Sequence, residues 1–224
     1  MGGGLLTLLR EEPLVFVLLA ASLIGALSLH EYAHALAADL QGDRLPRAMG
    51  RLTLNPAKHL DPLGTLSILL VGFGWAKPVE FRPQALSSKR FGAAIVALAG
   101  PLMNLLLAVV AAFLFVPLCR AAGSPACPEG GPILLLELPV AAQFLAHFLA
   151  INVLLAVFNL IPLPPLDGSR LLTIFLPPSK QNVVFFLDRY GFLILLALLF
   201  LGGFTVLFPL IRAVQDGVLG LAGY

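Results

Sequence analysis

The chain has 224 residues, of which 59% are hydrophobic and only 12% are charged, and its formal net charge is +2. A typical soluble domain carries about 25% charged residues, so this composition excludes an ordinary soluble protein and indicates an integral membrane protein. We therefore expect the lipid bilayer as its surroundings and no nucleic acid as a partner.

Four stretches of the chain are long and apolar enough to cross a bilayer, which takes about 20 residues of helix. They cover about residues 13–38, 91–118, 132–161 and 183–211. Pro13 stands at the start of the first stretch, where helices accept proline, and Pro139 is a candidate kink in the third. The predicted fold is a membrane all-α bundle of about four transmembrane helices, forming a single domain over residues 1–224.

The loop between the first two spans, residues 41–90, contains structure of its own. Residues 51–55 (RLTLN) alternate polar and apolar side chains, which predicts a short strand. Residues 65–81 start with a mainly apolar run of about eight residues before the glycines, which is too short to span a membrane. We predict a strand or re-entrant segment here, with Trp75 at the membrane interface. An ordinary surface hairpin is the alternative.

The basic residues predict how the chain is oriented in the membrane. The 41–90 loop holds eight of the fourteen basic residues, whereas the 119–131 loop holds one. Because basic residues accumulate in cytoplasmic loops, the 41–90 and 162–182 loops are predicted to face the cytoplasm. The 119–131 loop then lies outside, and its Cys119 and Cys127 are equally compatible with a disulfide and with two free thiols.

Ionisable side chains inside the first span need a specific reason, because each costs several kcal/mol in hydrocarbon. Residues 30–34 read HEYAH. His30 and His34 lie four residues apart on one helix face, so both rings can bind one metal ion. Glu31 lies to one side and can act on water without binding the metal, as in the HExxH motif of zinc proteases. The alternative is a polar cluster that only ties helices together.

Catalytic zinc usually has three protein ligands and one open position, so two histidines are not sufficient. Asp167, within FNLIPLPPLDGSR (158–170), is the candidate third ligand. Prolines end the third helix just before it, and Gly168 lets the chain turn closely. The first and third spans are predicted to run in the same direction, which places HEYAH and Asp167 at the same depth, toward the cytoplasmic side. These residues predict one Zn²⁺ per chain.

These motifs resemble those of the site-2 proteases, a family of intramembrane zinc metalloproteases. The resemblance rests on HEYAH, on AGPLMN (99–104) and on FNLIPLPPLDGSR. Residues 50–66 (GRLTLNPAKHLDPLGTL) and 74–79 (GWAKPV) are similar to the compact bacterial and archaeal branch, which lacks a PDZ domain. The resemblance implies a zinc-dependent endopeptidase of a prokaryotic cell membrane, which hydrolyses peptide bonds in or near the transmembrane segments of other proteins.

The resemblance also implies roles for individual residues. It makes His30, His34 and Asp167 the zinc ligands, and Glu31 the catalytic acid and base. Asn159 matches an asparagine that stabilises the tetrahedral intermediate, and an amide near a metal is a plausible oxyanion donor. The alternative role of Asn159, which the sequence supports equally, is to join helices through a hydrogen bond.

The remaining polar residues are predicted to be structural. Asn104 is predicted to serve helix packing, with Gly100 permitting close approach of two helices. His59 and Asp61 do not match metal-ligand positions. His147 is predicted to form a hydrogen bond within the bundle.

The expected substrate is a transmembrane protein segment. A helix hides its peptide bonds, so the segment must unwind, and an exposed strand edge could then bind it through backbone hydrogen bonds. Gly72, Phe73 and Gly74 are the candidate residues of that edge. The alternative function is a non-enzymatic membrane metal-binding protein or transporter, but a transporter should carry inverted repeats, and none is visible in the sequence. The sequence makes no prediction of the oligomeric state.

Overall fold

A computed structural model of the protein describes residues 5–71, 74–122, 135–175 and 181–224. Within these ranges the chain forms nine α-helices: α1 Leu5–Glu11, α2 Pro13–Leu40, α3 Leu45–Ala48, α4 Pro62–Val71, α5 Lys89–Ala121, α6 Val140–Asn159, α7 Gly168–Phe175, α8 Gln181–Phe200 and α9 Leu207–Leu221. Short 3-10 turns cover Pro56–Lys58, Pro83–Ala85, Leu135–Glu137 and Gly203–Val206. The described part is all-helical, as predicted for a membrane all-α protein.

Three of these helices are long and apolar enough to cross a membrane, at Pro13–Leu40, Phe91–Ala121 and Val140–Asn159. They match the first three predicted spans. The third is shorter than predicted, because Pro139 lies immediately before α6 instead of kinking it. A proline lacks the N–H that a helix interior requires, so it is better tolerated at a helix start.

The predicted fourth span over 183–211 is not one continuous helix. α8 ends at Phe200, and Gly202 adopts a φ of 74°, a left-handed conformation that favours glycine and often ends helices. The chain then resumes as α9, whose Val218 and Leu219 are buried against α5 and α6. The predicted boundary of this span is therefore wrong.

The centre of the fold is a bundle of α2, α5 and α6, which pack against one another. Alanines fill the buried face of α2, since small side chains let helix backbones approach closely where lipid provides no hydrophobic drive. These alanines are Ala26, Ala33, Ala35 and Ala38. On α5, the exposed face carries large apolar side chains that suit contact with lipid, namely Leu102, Leu106, Val110, Phe113 and Leu114. Cys119 is buried in α5 and is not a free thiol, while Cys127 lies outside the described residues.

The loop between the first two spans is folded, but not as the predicted strands. Residues 51–55 contain no strand, and the beginning of residues 65–81, predicted to be a strand or a re-entrant segment, lies in helix α4. The alternation in RLTLN does not reflect a sheet, because the Arg51 side chain is buried and donates hydrogen bonds to backbone carbonyls of the same loop. An isolated antiparallel bridge joins Leu60 to Ala76.

The same loop extends along α2. α4 packs against α1, beyond the N-terminal end of α2, whereas the Val79 backbone N–H donates to Glu31 in the middle of α2. At the other end, Arg82 is held at Asp43, just past the C-terminus of α2. The loop therefore lies beside the bundle over much of its length.

Asp43 fastens the end of this loop to the end of α2. Its fully buried carboxylate accepts hydrogen bonds from the Arg82 amide, at 2.5 Å, from the Arg82 guanidinium and from the Leu45 amide. Burial raises the pKa of Asp43, but these bonds outweigh it and hold the pKa below its usual value. A carboxylate with a lowered pKa stabilises the folded state at pH values above its unfolded pKa.

We expect the substitution Asp43→Asn to lower the free energy of unfolding at pH 7 by about 1.5–3 kcal/mol, the range for hydrogen bonds to a charged group. The difference from the parent should shrink as the pH falls below about 4, because the parent carboxylate then becomes protonated. Unfolding in detergent at several pH values measures both effects. Glu80→Gln, at an exposed position of the same loop, is the control. Equal destabilisation by both substitutions would contradict this account of Asp43.

Candidate metal centre

The structure brings together the three residues predicted to bind a metal. The Nε2 atoms of His30 and His34 lie 3.0 Å apart, and Oδ2 of Asp167 lies 3.1 Å and 3.2 Å from them. Both histidines are buried on α2, and Asp167 stands on irregular backbone between α6 and α7. The (i, i+4) spacing on one helix accounts for the histidine pair, and the fold supplies the carboxylate.

The His30 ring is oriented by an asparagine pair that crosses the bundle. The Asn104 side-chain nitrogen donates to Oδ1 of Asn152 at 2.7 Å, so the Asn104 oxygen faces the ring. His30 Nδ1 lies 2.5 Å from that oxygen and must therefore carry the hydrogen. Because a neutral imidazole has one N–H, the Nε2 of His30 presents a lone pair.

His34 is oriented in the same sense by the backbone of α5. Its Nδ1 lies 2.7 Å from the carbonyl oxygen of Val96, which can only accept a hydrogen bond. The Nε2 of His34 therefore also presents a lone pair. Oδ2 of Asp167 is buried and has no hydrogen-bond donor among the described residues. Three electron-pair donors thus face one another, an arrangement that repels unless a cation lies between them.

The residues present fit zinc. Nitrogen and carboxylate ligands at ~2.0–2.1 Å from a tetrahedral zinc are separated by roughly 3.3 Å, close to the separations measured here. Space for an ion is provided by Gly100 of α5, where an added Cβ would lie only 2.6 Å from Nε2 of His30 and would also meet His34. Two imidazoles and one carboxylate are a ligand set of catalytic zinc sites.

Glu31 lies beside the three ligands and is not a member of their cluster. Its side chain is buried, and its Oε2 accepts a hydrogen bond of 3.1 Å from the Val79 backbone N–H. Glu31 is therefore a buried carboxylate next to the candidate ligands with a hydrogen bond of its own.

A cavity of about 440 Å³ opens onto this cluster. Its polar lining comes from His30, Glu31, Asp167 and Asn159, and its apolar lining includes Leu27, Trp75, Leu155, Phe192 and Leu195. Gly74, one of the predicted edge residues, also lines the cavity, whereas Gly72 and Phe73 lie outside the described residues. The cavity is therefore mostly apolar, with its polar groups gathered at the metal cluster.

The turn that carries Asp167 depends on close backbone contact. A Cβ added to Gly168 would lie 2.5 Å from the Leu160 carbonyl carbon and 2.6 Å from the Ile161 oxygen. Ser169 then donates its backbone N–H and its hydroxyl to the Leu166 carbonyl, which starts α7. Glycine is thus required at position 168, because the backbone passes too close to the end of α6 for any side chain.

Sequence reasoning missed the residues that orient the ligands. Asn104 was predicted to serve helix packing, and it also holds the His30 ring. An asparagine in an apolar span, inside the AGPLMN motif, was the available signal. The Val96 carbonyl and the Val79 amide are backbone groups, so no residue type could have indicated them. His59 is structural as predicted, because it is fully buried and donates through Nε2 to the Thr53 carbonyl.

Comparison with known proteins agrees with this site. The model of a protein family described as "Peptidase family M50" matches residues 18–123 and 126–201 of this chain. The chain is 39% identical over 205 residues to "Putative zinc metalloprotease YwhC" of Bacillus subtilis (strain 168), covering 91% of this chain and 90% of that protein. No solved structure matches the chain significantly.

Two mycobacterial proteins are also similar. The chain is 35% identical over 191 residues to "Putative zinc metalloprotease Rip2" of Mycolicibacterium smegmatis, covering 83% of this chain and 67% of that protein. It is 32% identical over 214 residues to the protein of the same name from Mycobacterium tuberculosis (strain ATCC 25618 / H37Rv), covering 88% of this chain and 74% of that protein. With zinc-type ligands, membrane-spanning helices and a family match over most of its length, the chain belongs to peptidase family M50, the site-2 protease family, and is a zinc-dependent intramembrane metalloprotease.

Proposed function

We propose that His30, His34 and Asp167 bind the catalytic Zn²⁺ of this protease and that Glu31 is its general base and acid. The observation that carries the proposal is the convergence of two Nε2 lone pairs and one carboxylate oxygen within 3.2 Å of one another. A network that only tied helices together would pair these atoms with donors. Here the ring hydrogens are used on the far side, at Asn104 and Val96.

The proposed reaction is hydrolysis of a peptide bond of a membrane protein. Zinc, when bound, supplies a Lewis acid that activates water and polarises the scissile carbonyl. Glu31 accepts the proton of the attacking water and later delivers it to the leaving amine. The hydrogen bond from Val79 supports this role, because it occupies one carboxylate oxygen and fixes the side chain.

Asn159 is proposed to donate a hydrogen bond to the oxyanion of the tetrahedral intermediate. It lines the same cavity as Glu31 and Asp167. Its Nδ2 donates to the Leu155 carbonyl at 3.0 Å, which fixes the side chain. An amide nitrogen carries two N–H groups, so the second can serve the substrate.

The substrate is proposed to bind in an extended form along residues 72–76. Gly74 and Ala76 line the cavity, and the bridge between Leu60 and Ala76 gives this segment local strand character. In an antiparallel pair the backbone groups of a residue point to one side only, so the far side of the segment can hydrogen-bond to a peptide. Gly72 and Phe73 remain predicted members of this edge.

We further propose a single domain over residues 1–224 in a prokaryotic cell membrane, with α8 as a fourth crossing. The 41–90 loop is proposed to re-enter the membrane from the cytoplasmic side, because it reaches from the Asp43 end of α2 to α1. The active site then opens toward the cytoplasm. The basic residues of the loop support this orientation.

Glu31→Gln and Asp167→Ala should separate the general base from a metal ligand. Glu31→Gln keeps the size of the side chain, so zinc should stay bound while hydrolysis of a reconstituted helical substrate falls by ~10²–10⁴ or more. Asp167→Ala removes a ligand, so zinc and activity should fall together. Zinc stoichiometry measured beside cleavage decides the matter. Near-parental cleavage by the Glu31→Gln protein would show that Glu31 is not the base.

Gly100→Ala should displace zinc without changing any ligand. The new methyl group would occupy the space beside His30 and His34, so zinc affinity and hydrolysis are expected to drop together. Gly25→Ala is the matched control in another membrane-spanning helix, because its Cβ would lie 3.5 Å from the Phe148 ring, an ordinary contact distance. Metal analysis after dialysis against a chelator provides the measurement. Unchanged zinc retention in the Gly100→Ala protein would place the ion elsewhere.

Cysteines introduced at Ser87 and Ser124 should react from opposite sides of the membrane. Ser87 is exposed in the loop proposed to face the cytoplasm, and Ser124 belongs to the loop predicted to lie outside. A membrane-impermeant thiol reagent, applied to intact cells and to inverted vesicles, tests this against the parent protein. Labelling of both positions in intact cells would refute the proposed orientation.

A further inference from the structure

Arg51 is a buried cation in the loop beside the active site. Only 3% of the surface of Arg51 is exposed to solvent. Its guanidinium donates to three backbone carbonyls: Lys58 at 2.5 Å, Lys77 at 3.1 Å and Pro78 at 3.1 Å. Moving a charge out of water is costly unless its donors are satisfied, so a buried arginine bound to carbonyls marks a backbone path that is strictly specified.

The last of these contacts places Arg51 one peptide group away from Glu31. The Pro78 carbonyl and the Val79 N–H belong to the same planar peptide unit. Arg51 donates to the oxygen of that unit, and the N–H of that unit donates to Oε2 of Glu31. One peptide group is therefore held at its two ends by a guanidinium and by the carboxylate of the proposed general base.

This arrangement can strengthen the bond to Glu31 in two ways. The guanidinium fixes the peptide plane, which sets the direction of the Val79 N–H. A positive charge on the carbonyl side also polarises the peptide group and makes its N–H a better donor, since linked hydrogen bonds reinforce one another. Both effects favour one orientation of the Glu31 carboxylate.

We propose that Arg51 is a positioning residue for Glu31, acting through the Pro78–Val79 peptide group. The inference rests on the proposed role of Glu31 as general base. Arg51 does not line the catalytic cavity, so its effect must pass through the backbone. Its loss should therefore appear in the chemical step before it appears in substrate or metal binding.

Arg51→Met should lower kcat on the order of 10- to 100-fold, the cost of slight misplacement of a catalytic group, with KM and zinc stoichiometry near the parental values. Arg51→Lys keeps the charge but has no planar fork to span two carbonyls, so it should recover part of the loss. Arg44→Met is the matched control, because exposed Arg44 pairs with Asp39, which Arg47 also binds. It should keep the parental kcat. If Arg51→Met does not fold, the kcat of Arg51→Lys alone carries the test.

A double substitution separates positioning from general loop structure. If Arg51 acts through Glu31, adding Arg51→Met to Glu31→Gln should cause little further loss of the residual hydrolysis. Multiplied losses, or a rise in KM together with loss of zinc, would overturn the inference and make Arg51 a purely structural residue. Parental kcat in the Arg51→Met protein would also overturn it while leaving Glu31 as the base. Near-parental activity of Glu31→Gln would instead remove the proposed function itself.

Discussion

The active site depends on hydrogen bonds that the metal never touches. Each histidine gives its only ring hydrogen to an oxygen on α5, at Asn104 or at Val96, and so must turn its lone pair toward the other histidine. Such an arrangement of electron pairs is unfavourable without a cation, because no donor among the described residues pairs with the buried Oδ2 of Asp167 that faces both rings. The candidate metal site is therefore shaped by α5 as much as by α2, which carries both histidines. Asn152 extends this support to α6, so the three packed helices share one polar network.

That network explains why the buried face of α2 is rich in alanine. Asn104 can reach both His30 and Asn152 only if the helix axes lie close together, and the alanines of α2 allow this. Gly100 lies one helical turn before Asn104 and must also be small, because a side chain there would fill the space beside His30 and His34. Close packing and metal binding therefore impose the same demand on the sequence. This coupling is expected in a membrane, where van der Waals contact and polar networks replace the hydrophobic effect between helices.

The parts of the structure that could be predicted are those that depend on local spacing or on chain direction. The histidine pair follows from helical periodicity, and Asp167 follows from two spans that run the same way. The strand predicted at residues 51–55 failed because a period of two describes side-chain alternation, not the partner of the backbone. Here the backbone of this segment bonds to the Pro46 carbonyl, through the Arg51 N–H, and to the His59 side chain, through the Thr53 carbonyl. The prediction of one continuous fourth span was wrong for a related reason. Hydropathy measures only how apolar a segment is, whereas Gly202 interrupts the helix through its backbone conformation, with a positive φ.

The position of Glu31 shows why a protein needs more than the HExxH spacing to make an enzyme. A carboxylate next to two metal-binding imidazoles could itself become a ligand, which would close the position that the substrate needs. The helix keeps Glu31 to one side, but a flexible side chain could still swing toward the ion. The Val79 amide opposes that movement, because its hydrogen bond to Oε2 would have to break. In the proposed mechanism, the loop that carries Val79 is therefore part of the catalytic apparatus, because its hydrogen bond to Glu31 favours the role of base over that of a fourth metal ligand.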